Sequence, residues 1–383
     1  MKLGIDVLLE EKPIDLKKER IGLVTNVSSV NRYLEPTMNV LHQHPDFNLT
    51  ALYGPEHGVR NHVSAGENVS SFTDSKTGLP VYSLYGDTRK PSESMLEDID
   101  VLLVDLQDIG ARYYTYIYTM SYIMEACREH GKSLVVLDRP NPIGGSEVEG
   151  NLIEPGFTSF IGRFPIPNRH GLTIGEMALL FKYVFKIDCD LTVVPMEGWS
   201  RHMFFDDTYL SWCAPSPSVT GMDMMLLYPG TCLLSGTNLS AGRGTTKPFE
   251  YVGAPFIDGD AFHKRLNDRL GPKVRARSIS FTPAFSIYEG TYCEGVQLHI
   301  IDRSFHAVET GLILLETVAE MYPDAFTFKK PNKDDERYHF DLSAGTDRLR
   351  QLIWDGHVNA FLQTCKTDVN EFKRVAYPHL LYR

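Results

Sequence analysis

The stretch IDVLLVDLQD, residues 99–108, reads as a β-strand buried on both faces. Val101, Leu102, Leu103 and Val104 leave no polar position for a solvent-facing side, and the run closes on two carboxylates and an amide. Upstream, RIGLVTN (20–26) and NLTALYG (48–54) have the same form, and 33–43 between them is expected to be helical. Downstream, helical spacing over 115–130 precedes a fourth strand over 132–138. Apolar strands separated by crossover-length helices are the pattern of an α/β fold, a mostly parallel sheet with helices on its faces. LTIGEMALLFKYVF (172–185) adds a helix opened by a capping box, Thr173 followed three residues later by Glu176. A domain boundary is expected just after it, near 187–190. The remainder reads as a strand, a long loop, a strand over 296–302, helices over 262–270 and 307–321, and closing helices over 341–354 and 358–369.

The long loop is YPGTCLLSGTNLSAGRGTTKPFEYVGAPF, residues 228–256. Gly and Pro punctuate it so often that it is poor material for a regular helix or strand, and its length suits the shaping of a pocket.

Composition narrows the function classes. The 383 residues suffice for two domains, and the 22 prolines and 30 glycines are scattered, which implies many turns rather than a disordered tail. With 38 basic against 49 acidic side chains the net charge is -11, and no basic stripe appears, so nucleic acid is not an expected partner. Six cysteines lie far apart without a CxxC pair, which argues against structural zinc and for small buried apolar residues. The start, MKLGIDVLLEEK, lacks the pattern of a signal peptide, and no transmembrane segment is expected. A cytoplasmic location is the expectation, although an exported protein without its leader would read alike.

In open α/β sheets ligands bind beyond the carboxyl ends of the strands. Here those ends carry Thr25-Asn26, Gly54-Pro55-Glu56-His57-Gly58, Asp105-Leu106-Gln107-Asp108 and Asp138-Arg139-Pro140-Asn141-Pro142. Glu56 lies between glycines that allow close backbone approach, and it suits general-acid work, with His57 as its neighbour. Asp105, Gln107 and Asp108, followed by Arg112, Tyr113, Tyr114 and Tyr116, resemble a carbohydrate-contacting rim. Arg139 and Asn141 sit in a proline-stiffened loop, His170 precedes the Thr173 cap, and Arg243 between glycines is a second candidate anion clamp. No GxGxxG follows the first strand, and Walker A, HExxH and GxSxG sequences are missing, so nucleotide binding, zinc hydrolysis and serine esterase chemistry lack support.

The motifs RIGLVTN, LYGPEHGVR, VDLQDIGARYYTY, LDRPNP, NRHGLTIGE, GTNLSAGRGTTKPFE and GAPF occur in order along nearly the whole chain. Together they resemble the DUF1343 family, the NamZ-type exo-β-N-acetylmuramidases of glycoside hydrolase family 171. The resemblance implies a Rossmann-like domain over 1–187 and a smaller α+β domain over 188–383 that contributes the loop 228–256, with the active site in the cleft between them. It implies release of N-acetylmuramic acid (MurNAc) from the non-reducing end of peptidoglycan fragments, so saccharides or muropeptides are the expected partners. Glu56 would be the leading catalytic residue, with Asp105 or Asp108 as the second carboxylate or the substrate's acetamido group in its place. Asn26, His57, Gln107, Arg112, Tyr113, Arg139, Asn141, His170, Asn238 and Arg243 would bind substrate, and Arg112, Arg139 or Arg243 would meet the lactyl carboxylate. Neither metal nor cofactor is expected. In one departure from the expected SPN motif, Ser218 stands where an asparagine would, which shortens the reach of that side chain and bears on preference for the leaving sugar. A muropeptide-binding protein without turnover and a glycosidase for another amino sugar are the alternatives.

Overall fold

Strand burial follows directly from the apolar runs. A computed structural model describes residues 1–60, 72–86, 88–331 and 336–383. The first half runs α1 (Gly4–Glu11), β1 (Arg20–Thr25), α2 (Thr37–Gln43), β2 (Asn48–Gly54), β3 (Phe72–Thr73), β4 (Pro80–Ser83), β5 (Val101–Asp105), α3 (Tyr116–His130), β6 (Ser133–Leu137), α4 (Ile174–Tyr183) and β7 (Leu191–Val194). The strands form one sheet in the order β3-β4-β2-β1-β5-β6-β7, parallel throughout except where β3 meets β4. β7 lies past residue 187, so the first sheet draws one strand from beyond the expected boundary.

Alternate residues of each strand feed different cores. Ile21, Leu23, Val101, Leu103, Val135 and Leu137 pack with α1 and α2. Val24, Leu102, Val104, Leu134 and Val136 pack with α3 and α4, and that core runs on without a break into the second half. There the elements are α5 (Met222–Thr231), β8 (Tyr251–Ala254), α6 (Gly259–Arg269), β9 (Val274–Phe281), β10 (Cys293–Ile300), α7 (Ala307–Met321), α8 (His339–Ala344), α9 (Arg348–Trp354) and α10 (Val358–Ala376). The strands make a smaller antiparallel sheet, β8-β10-β9. The architecture is therefore a mostly parallel α/β sheet followed by a smaller α+β unit.

Three local expectations shift for physical reasons. The helix expected from residue 33 begins at Thr37, because the Asn31 side chain accepts the Tyr33 and Glu35 amides at 3.0 and 2.9 Å and holds a turn there. The helix expected over 341–354 divides at Gly345, whose φ of 75° ends α8. The first residues of 228–256 complete α5, with Pro229 inside it, and 251–254 form β8. Burial of Met224 to Thr231 overrides the weak local propensity. Gly230 permits it: a Cβ there would stand 1.9 Å from the Ala307 carbonyl oxygen, so α5 and α7 touch backbone to backbone. The capping box forms as expected, Glu176 donating its amide to Thr173 Oγ1 at 3.1 Å and accepting the Thr173 amide at 3.0 Å.

Candidate functional site

Beyond the end of β2 the chain turns sharply. Gly58 donates its amide to the Pro55 carbonyl at 2.9 Å, and both His57 (φ 74°) and Gly58 (φ 71°) take left-handed backbone. For a histidine that conformation is uncommon and marks a constrained site. The turn holds Glu56 half-buried at the wall of a cavity of about 800 Å³, within the size range of small-molecule sites. Thr115 Oγ1 donates to Glu56 Oε2 at 3.0 Å. Behind it, Tyr116 hydroxyl donates to the Pro215 carbonyl at 2.7 Å, lies 3.3 Å from the Glu56 carbonyl and accepts from Asn26 Nδ2 at 3.0 Å. Burial first, then the charge and hydrogen bond of Glu56, push the Tyr85 phenol up to about 12. Tyr85 therefore faces the glutamate as a neutral hydroxyl.

The rest of the cavity comes from both halves. Tyr113, Tyr114 and Tyr116 from the first half meet Tyr228 and Phe249 from the second, with Tyr114–Tyr116 and Tyr228–Phe249 ring centroids each 4.8 Å apart and edge-on. Arg243, Lys329, His339 and Ser218 also line it. Gly242 and Gly244, at φ of 70° and 81°, fix the turn that presents Arg243, whose guanidinium stands 5.2 Å from the Phe249 ring.

Of the residues singled out in the sequence, Glu56, His57, Tyr113, Tyr114, Tyr116, Ser218 and Arg243 line this cavity, and the others have different surroundings. Asp105 is fully buried, its carboxylate bound by Arg139 Nε at 2.5 Å, Arg139 Nη2 at 2.8 Å and Thr37 Oγ1 at 2.5 Å. Asp108 accepts the Gly110 amide at 2.7 Å and lies 3.1 Å from His170 Nε2. His170 Nδ1 accepts the Leu172 amide, so the proton sits on Nε2 and points at Asp108. Gln107 Nε2 bonds the Asp108 and Pro140 carbonyls, and Asn141 Nδ2 bonds that of Leu172. Gln107 and Arg139 line a separate space of about 20 Å³, room for about one water.

Arg112 is fully buried and donates to four carbonyls, those of Asn151 (2.6 Å), Ile166 (2.9 Å), Ser343 (2.8 Å) and Ala344 (3.0 Å). It clamps α8 to the first half. Asn238 does similar work, bridging Ala325 and Thr327. Asn26 stands one layer back, where it holds Tyr116. Among the described residues no three His, Cys, Asp or Glu side chains gather as a metal set would require.

Residues 21–223 match the family described as exo-β-N-acetylmuramidase NamZ, N-terminal, and residues 226–382 its C-terminal counterpart. The chain belongs to the NamZ (DUF1343) family of glycoside hydrolases. It is 47% identical to the peptidoglycan β-N-acetylmuramidase NamZ of Bacillus subtilis (strain 168), covering 100% of this chain and 91% of that protein. Two crystal structures of DUF1343 family proteins from Bacteroides fragilis NCTC 9343 superpose with TM-scores of 0.91 and 0.75 at 38% and 29% identity, each covering 100% of this chain and 99% of the other.

Within this NamZ-family cavity several side chains escaped the sequence reading: Tyr85, Thr115, Lys329 and His339. Tyr85 follows a four-residue edge-region strand too short to stand out in the sequence. Lys329 opens a Lys-Lys-Pro triplet, a signal available in the sequence; His339 begins a six-residue helix and gives none.

Proposed function

We propose that the chain is an exo-acting hydrolase that releases MurNAc from the non-reducing end of peptidoglycan fragments by cutting the β-1,4 MurNAc–GlcNAc bond. The observation that carries this reading is the pairing, in one aromatic-walled cavity, of a half-buried glutamate with an arginine that has no carboxylate partner among the described residues. A neutral amino sugar needs the acid and the aromatic faces, whereas only a sugar bearing a carboxylate needs Arg243. The family membership and the activity named for the Bacillus subtilis relative agree with it.

In the proposed reaction Glu56 is the general acid. Its proton passes to the glycosidic oxygen as the bond to the MurNAc anomeric carbon breaks, and GlcNAc leaves with a new hydroxyl. Neither Asp105, held by Arg139, nor Asp108, held through Oδ2 by His170 and Gly110, lines the cavity, so we assign the substrate's own acetamido oxygen to the anomeric carbon, where it forms a cyclic oxazolinium. Water then adds at that carbon, the ring reopens, and the Glu56 carboxylate takes the water's proton. One water is consumed per bond cut, and the released MurNAc keeps the β configuration.

The test is chromophore release from para-nitrophenyl β-N-acetylmuramide beside the corresponding glucosaminide, followed by the natural disaccharide. Turnover of the muramide alone supports the reading. Equal turnover of both would make the chain a glycosidase without need of the lactyl group. Binding of the disaccharide with no product from any substrate would make it a binding protein.

A further inference from the structure

Arg243, Lys329 and His339 come from separate segments of the second half and line one cavity with Glu56. Among the described residues neither Arg243 nor Lys329 has a carboxylate partner, and Arg243 Nε is buried without any acceptor. The surroundings fix the backbone at both positions, and the exposed Lys329 side chain has one tether. A Cβ on Gly242 would come within 2.6 Å of the Lys247 carbonyl oxygen and one on Gly244 within 2.4 Å of that of Phe285, so the Arg243 turn is closely packed. Lys329 donates its amide to the Gly236 carbonyl at 2.9 Å and its Nζ to that of Ser235 at 3.2 Å. The cationic groups also feel one another. The cavity walls and then Arg243 lower the affinity of Lys329 for its proton, and the walls, then Lys329 and Arg243, lower that of His339. Glu56 and Glu336 line the same cavity, but no carboxylate among the described residues pairs with Arg243 or Lys329, so an arriving anion relieves the repulsion between the two.

We propose that Arg243, Lys329 and His339 together form a carboxylate-binding subsite that grips the lactyl group of MurNAc. The inference rests on the function proposed above and adds two residues and a division of labour to it. Arg243 has the planar fork that matches a carboxylate, Lys329 supplies a point charge, and His339 adds one further donor. The same donors would also suit a phosphate, so the position of the anion on the sugar has to be tested.

Calorimetric binding of MurNAc, GlcNAc and GlcNAc 6-phosphate to the full chain separates these cases, with para-nitrophenyl muramide kinetics run in parallel. Lys329→Met is expected to weaken MurNAc binding and raise the muramide KM by about tenfold, the worth of one charge-assisted hydrogen bond, with kcat within about twofold. His339→Gln is expected to do the same by about threefold, within the range of one ordinary hydrogen bond. GlcNAc binding stays unchanged in both, and Lys329→Arg restores most of the loss, which a merely misfolded variant would not. MurNAc affinity equal to the wild type in both variants overturns the subsite, as does tighter binding of GlcNAc 6-phosphate than of MurNAc. If the variants match a wild-type enzyme that does cleave the muramide, only the subsite fails. A wild type that cleaves no substrate defeats the parent reading, and the MurNAc binding series still decides the subsite.

Discussion

Two groups of carboxylates stand beyond the carboxyl ends of neighbouring parallel strands, and they meet opposite fates. After β5 and β6, Asp105 and Asp138 are fully buried and surrounded by donors: Thr37 and Arg139 for one, and Thr173, Tyr382 and the Gly175 and Arg139 amides for the other. After β2, Glu56 is half-buried, takes one hydroxyl from Thr115 and opens on the cavity. Cations divide in the same way. Arg112 and Arg139 spend their terminal guanidinium nitrogens on carbonyls and on Asp105, whereas Arg243 and Lys329 face the cavity without a carboxylate among the described residues. A strand end brings a polar side chain to the crevice. Whether it is left free for ligand depends on how much of its bonding capacity the fold has already used.

The sharpest way to break this contrast is Glu56→Gln. It keeps the shape and the Thr115 contact but has no acidic proton, so muramide turnover is expected to fall by about a thousandfold, within the range for lost general-acid catalysis. The melting temperature should hardly move. Asp105→Asn should do the reverse. It leaves the Arg139 charge buried and uncompensated, a defect that costs about 3–5 kcal/mol, read as a lower urea midpoint. Activity per folded molecule should stay within about twofold, since Asp105 is bound by Arg139 and Thr37 and does not line the cavity. If Asp105→Asn were stable but inactive, the saturated set would belong to the chemistry and the comparison would collapse.

How much of this was legible beforehand follows from the same distinction. The strands at 48–54 and 101–105 and the helix at 307–321 are written in local apolar patterning, and so is the Thr173–Glu176 cap. Membership of β7 in the first sheet is a matter of topology, set by where α4 releases the chain. Polarity at the strand ends was also readable, but saturation was not. The Arg112 terminal nitrogens go to carbonyls at 151, 166, 343 and 344, and no local window contains those partners. Lys329 and His339 reach the cavity from more than 270 positions beyond Glu56, for the same reason.

A smaller effect separates the two sets by pH. Burial, with the nearby Glu176 charge, outweighs the donors around Asp138 and pushes it up to about 7 from an ordinary 3.8. Between those values the folded protein holds a proton that the unfolded chain has released, so stability is fullest below 3.8 and is lost as pH rises toward about 7. Asp138→Asn has no such proton, and Thr173 and Tyr382 hydroxyls can turn to accept from its amide. Melting temperature against pH should therefore slope downward less in the variant across that window. Parallel curves would mean that Asp138 is ionised throughout and that its donors prevail.

The smallest expected effect lies at the cavity wall itself. Ser218 lines the cavity beside Ser216 and Pro217, in the segment whose Pro215 carbonyl receives Tyr116 and Asn26. Its hydroxyl both donates and accepts but reaches less far than an amide. Ser218→Asn should lower the KM for the natural disaccharide by between about two- and tenfold, the worth of one ordinary hydrogen bond. The aryl muramide has no GlcNAc to touch, so its KM should stay fixed. Equal shifts on both substrates would put Ser218 against MurNAc. A shift on the disaccharide alone would place the leaving sugar along the 215–218 segment, with Glu56 between it and the sugar that Arg243 holds.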